Sequence, residues 1–258
     1  MTPLFVWLGA VGIADLAGAG VPTAGRMRYT TRFTVAGVAA AVLVLISGYE
    51  KPWITAIAAG CIGSAMAAVW ASMTDVAADQ DCPNQQRASA AALWGFMAMC
   101  GLVVGTSTIW PDRSDLWLAD WLDDLPYATA SVSTQRTLAI AATVVFLTET
   151  GNHLVRLALG SVRVTTGAPT SPDSEIKGGR LIGPIERILI FGLAIGGEPT
   201  AAALIVSAKG LLRYPEIGSR SKDLAKGQPS PAVLSEYLVV GSMVSWSVAL
   251  SVLVWVPS

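Results

Sequence analysis

Several ionisable side chains in this 258-residue chain stand inside stretches that are otherwise apolar, with types and spacings that chemistry could use. The densest set is Thr148-Glu149-Thr150-Gly151-Asn152-His153, followed by Arg156. Glu149, Asn152, His153 and Arg156 fall at i, i+3, i+4 and i+7, so on a helix they project from one face. A carboxylate one turn from the chain's single histidine has the spacing of a proton relay or of a two-ligand metal corner. As a metal motif it is incomplete: Glu-x-x-x-His supplies two ligands, and no Cys or second His offers an obvious third. The blander reading of the same residues is a polar clamp between helices.

Asp15, in Gly12-Ile13-Ala14-Asp15-Leu16, has no partner within its own apolar run. It reads either as a ligand for a cation or proton, or as a carboxylate paired with Arg26 or Arg28 or held protonated by burial. Farther along, Gly196-Gly197-Glu198-Pro199 interrupts a long apolar run, and Glu186 and Lys209 stand equally far from that interruption, about 17 Å at 1.5 Å per residue. A Glu186–Lys209 pair across such a hairpin, with Arg187 beside it, would neutralise charges that neither helix could carry alone. Glu198 begins the second arm, where the helix dipole favours a negative charge. Glu236, followed by Tyr237, reads as an interfacial salt bridge with the basic loop before it.

These groups need elements to hold them, and the composition says which kind. Apolar residues make up 53% of the chain and charged residues 14%, against about 45–50% and about 25% in soluble domains. Mean hydropathy is +0.55. Crossing a bilayer takes about 20 mainly apolar residues. Stretches at 3–21, 33–49, 53–73, 90–110, 137–159 and 233–256 satisfy this. The run 181–213 would make one helix of about 50 Å, too long for a hydrocarbon core of about 30 Å, so it must break. Glycine at a helix C-terminus and proline in the first turn of the next place that break at 196–199. The resulting short pair either spans twice or re-enters and returns.

The expected fold is therefore all-α, a polytopic bundle of seven or eight helices that includes the short pair. Residues 1–160 form a five-helix region, 161–179 an inner linker rich in Ser, Thr, Pro and Gly, and 180–258 a helical hairpin plus the last span. With the N-terminus outside, fourteen Lys and Arg fall on inner segments and three, Lys51, Arg113 and Arg136, on outer ones. That bias sets both termini outside. Trp7, Trp53, Trp110 and Trp255 then lie near outer helix ends and Trp70 and Trp94 near inner ends, as interfacial rings do. Residues 114–125 read as a short amphipathic helix on the outer surface.

One set of residues carries a resemblance. Gly179-Arg180-Leu181-Ile182-Gly183, Glu186-Arg187, Ala208-Lys209 with Leu212-Arg213, then Glu236-Tyr237, Gly241 and Ser245 resemble the C-terminal part of a family of bacterial multi-pass membrane proteins defined only as a domain of unknown function. The resemblance covers under a third of the chain. It implies a helical protein of the bacterial cytoplasmic membrane and adds weight to Glu186, Arg187, Lys209 and Arg213. It implies no activity.

Phosphate-cradling Gly-rich loops, a Gly-x-Ser-x-Gly elbow and His-Glu-x-x-His are absent from the sequence. The net charge of −1 and the lack of a basic stripe interleaved with aromatics argue against nucleic acid as a partner. Cys61, Cys82 and Cys100 match no metal or redox spacing. No cofactor is expected. The leading expectation is passage of an ion, proton or small solute through a polar interior built from Asp15, Glu149, His153, Glu186 and Lys209. A structural or regulatory membrane subunit that binds a partner protein or a second copy is the alternative, and an intramembrane enzyme the third. A conducting interior requires these groups to line one continuous wet cavity; a scaffold requires each to be sealed and paired separately.

Overall fold

Long apolar runs satisfy their backbone groups internally when they coil, and the described residues are all-α. The computed structural model describes residues 3–19, 26–46, 52–78, 84–107, 134–161, 179–205, 207–208 and 231–256. Among them are eight helices: α1 (Pro3–Ala19), α2 (Arg26–Ile46), α3 (Pro52–Ala78), α4 (Gln85–Gly105), α5 (Thr134–Ser161), α6 (Gly179–Ile195), α7 (Pro231–Ser251) and a 3-10 helix (Val252–Trp255). Three are long and apolar enough to cross a membrane, over Trp53–Ala78, Gln85–Gly105 and Gln135–Ser161. Shorter apolar helices cover Pro3–Ala19, Thr30–Ile46 and Val239–Trp255.

α1 is the hub. A helix that is apolar all round belongs inside, and thirteen of its seventeen residues are buried. α2 and α5 pack most closely on it, and α3 and α4 complete the ring between them. α5 also carries α6 and α7, so it joins two layers of the bundle. Residue registers fix the directions. Gly9 faces Ala142 and Gly12 faces Phe146, so α1 and α5 run parallel. Gly183 lies against Asn152 and Gly241 against Leu159, while Arg187 spans from Leu147 to Ser245. Those registers set α6 and α7 both antiparallel to α5, and hence parallel to each other.

Small residues set the closest approaches. A side chain added at Gly12 would sit 2.9 Å from the Phe146 backbone, so α1 and α5 touch main chain to main chain there. Gly37 meets Ser64, and Gly63 meets Ala40, along the α2–α3 contact, where the sequence pairs Gly60 with Ser64. The buried Thr143 hydroxyl is satisfied within its own helix, donating to the Ala139 carbonyl at 2.8 Å. Two successive glutamines at the start of α4 reach free helix ends: Gln85 donates to the Ala77 carbonyl (3.3 Å) and Gln86 to the Ser161 carbonyl (2.9 Å).

The expected break is where the residues place it. α6 ends at Ile195; Gly197 takes φ +83°, its amide bonds the Ala194 carbonyl (3.2 Å), and the Glu198 amide bonds the Leu193 carbonyl (2.8 Å). This is a Schellman cap, followed by helical residues 199–205 with Pro199 in the first turn.

Other expectations need correction. α2 begins at Arg26 instead of residue 33, and α3 runs five residues past 73, to Ala78. Apolarity marks only the part of a helix that lipid or core requires, while hydrogen bonding continues through polar residues at either end. Trp7 and Trp70 are core side chains, 4% and 1% exposed, and not interfacial rings, whereas Trp53 and Trp94 are 73% and 76% exposed. The amphipathic segment 114–125, Trp110, Cys82 and most of the linker 161–179 lie outside the described residues.

Candidate functional site

Asp15 sits one turn before the end of α1, level with Arg32 on α2, Trp70 and Thr74 on α3 and Thr150 on α5. Its carboxylate is saturated. Oδ1 accepts from the Arg32 guanidinium, and Oδ2 accepts from Trp70 Nε1 (3.1 Å) and Thr150 Oγ1 (2.7 Å). Arg32 leans across α1 at Gly18, where an added side chain would come within 2.7 Å of its Cγ. The guanidinium also approaches Thr74 Oγ1 (3.4 Å) and Asp75 (3.7 Å). Asp15 and Arg32 are each 2% exposed, and Asp75 faces outward. Of the readings open to Asp15 in the sequence, an ion pair is the one found, but with Arg32 in place of Arg26 or Arg28.

An aromatic layer lies on one side of this ion pair. Phe96 of α4 stands 4.9 Å from Trp70, 6.0 Å from Phe146 and 6.5 Å from Trp7, measured between ring centroids. All four rings are buried.

A second cluster forms on the opposite side of α5. Arg187 of α6 is 2% exposed and spreads its donors over the Leu147 carbonyl (2.8 Å), the Thr148 carbonyl (3.1 Å), Asn152 Oδ1 (2.5 Å) and Ser245 Oγ of α7 (3.2 Å). The carbonyls are reachable because residue 151 is glycine: an added Cβ would lie 2.8 Å from Arg187 Nε. Asn152 in turn donates to Glu149 Oε2 (3.3 Å). Buried Glu186 accepts from Trp246 Nε1 of α7 (3.0 Å).

The four residues expected to share one face of α5 therefore serve different neighbours. Glu149 and Asn152 belong to the Arg187 cluster. His153 stands edge-on to Trp70, 6.5 Å between centroids, on the Asp15 side. Arg156 is exposed. The arc they occupy is wide enough to straddle two contacts once α3 and α6 pack on either side. Glu198 is exposed at the turn between α6 and the next helical stretch. Lys209 and Arg213 lie outside the described residues, and so does the expected Glu186–Lys209 pair. Among the described residues no group of three or more His, Cys, Asp or Glu side chains could hold a metal ion.

Arg32, Trp70, Thr74, Asp75 and Trp246 belong to these clusters and were not singled out in the sequence as members of a site. Arg32 had a signal: carried seven residues back through the Thr- and Arg-rich segment, α2 brings it to the depth of Asp15. A tryptophan inside an apolar run carries no such signal. Comparison of the chain with family models, with curated proteins and with solved structures gives no match.

Proposed function

We propose that this chain is a multi-pass α-helical membrane protein, a non-catalytic structural or regulatory subunit, whose interior polar residues are clamps between helices. The observation that carries the proposal is the separation of its charged groups. Asp15 and Arg32 pair with each other and are bonded by side chains of two further helices, α3 and α5, beside an aromatic layer. Arg187 is held apart from them across α5, on backbone carbonyls and neutral side chains. Such an arrangement ties α1, α2, α3 and α5 at one point and α5, α6 and α7 at another.

Eight membrane passages, with both termini outside, fit the registers. Arg187 grips α5 at Leu147 and Thr148, the midpoint of Thr134–Ser161. Ile195 is about 12 Å farther along the axis, close to half of a hydrocarbon core of about 30 Å. The tip at Glu198 is then at the membrane surface and not at mid-depth. That supports two short spans over a re-entrant loop.

A double-mutant cycle tests the clamp. Asp15→Asn and Arg32→Gln, unfolded in detergent micelles, should each lose about 3–5 kcal/mol, the cost of leaving one partner of a buried pair uncompensated. The double variant should lose much less than their sum. Additive losses, or single variants within about 0.5 kcal/mol of wild type, contradict it. Passage of an ion, proton or small solute is the second reading, and one observation favours it: outward-facing Asp75 stands 3.7 Å from Arg32, on the open side of the pair.

A further inference from the structure

α4 and α7 flank α5 without closing over it, and the gap is a groove of about 400 Å³. Leu93, Trp94 and Met97 of α4 form one wall, Leu154 and Ala158 of α5 the floor, and Val248 lies on the α7 side. The groove is mainly apolar and partly open, and Trp94, 76% exposed, lines it. It runs along the half of α4 nearest Gln85 and the half of α5 nearest Ser161, the end that positive charge assigns to the inner surface.

One cation completes it. Arg87 precedes Ala90, Trp94 and Met97 by three, seven and ten residues, so it shares their face of α4 one turn beyond the groove. It is exposed, and among the described residues it has no ion-pair partner. An apolar groove with an exposed guanidinium one turn beyond its inner end has the charge and shape to take an anionic phospholipid: acyl chain along α5, phosphate on Arg87. We propose that this groove is a binding site for an anionic phospholipid of the inner leaflet. The inference rests on the membrane-spanning reading above, and α4 and α7 would then be joined through the lipid.

Trp94 supplies the readout. The full chain is reconstituted in phosphatidylcholine vesicles that contain either brominated phosphatidylglycerol or brominated phosphatidylcholine at the same mole fraction. Quenching attributable to Trp94 is taken as the difference from Trp94→Phe. Trp94 should prefer the anionic lipid about five-fold, as one basic residue near the surface provides. Arg87→Gln should abolish the preference while leaving quenching by phosphatidylcholine unchanged, and Ala158→Phe, which fills the floor, should reduce quenching by both. Equal quenching by the two lipids in wild type, or a preference that survives Arg87→Gln, overturns the site. Failure of the protein to float with vesicles would instead overturn the membrane reading itself.

Discussion

At the scale of single residues, glycines decide whether the buried arginines fit. Arg187 reaches the α5 carbonyls only across Gly151, and Arg32 crosses α1 only at Gly18. Gly151→Ala should therefore displace Arg187 and strand its charge, at a cost of about 1–3 kcal/mol in unfolding measurements, the range for overpacked interiors. Gly101→Ala is the control. Nothing lies within 4 Å of an added Cβ there, and the gain in helix propensity should stabilise α4 by about 0.5–1 kcal/mol. Similar effects of the two substitutions would mean that the Arg187 grip contributes little. These pairings were only half legible in the sequence. A charge in an apolar run announces itself, as Asp15 and Arg187 do, but its partner lies on another helix and depends on how far the two are turned toward each other. His153 and Asn152 show the consequence: adjacent on one face of α5, they face different helices.

At the scale of elements, the turn at 196–199 was the most legible feature. Its residues act locally: glycine for the left-handed position, proline for the first turn. Gly197 at φ +83° makes the prediction sharp. Gly197→Ala should cost about 1–2 kcal/mol, and Gly197→Asn less, because asparagine tolerates that conformation better. Equal losses for both in thermal unfolding would show that the cap is not what holds this turn. The ends of α2 and α3 were poorly legible for the opposite reason, since a hydropathy window stops where apolarity stops. Arg32 fell in the uncounted part of α2, and the main ion pair went unrecognised with it. The tryptophans misled similarly: an indole suits an interface and a core alike, and only the neighbours on α1 and α4 put Trp70 inside.

At the scale of the whole molecule, alternating helix directions carry the topology, and labelling can read it. In a background with Cys61, Cys82 and Cys100 replaced by alanine, Glu198→Cys and Asp75→Cys should react with an impermeant thiol reagent from opposite faces of oriented vesicles. Reaction from the same face would restore the re-entrant reading of the hairpin. The broader claim is that the interior is clamped, with its charges hydrogen-bonded where they stand. Flux through liposomes reconstituted with the full chain tests it most directly. Wild type and Glu149→Gln should both leak protons and small ions no faster than empty vesicles; flux in wild type above that level, lost in Glu149→Gln, would contradict the account and make the polar interior a path.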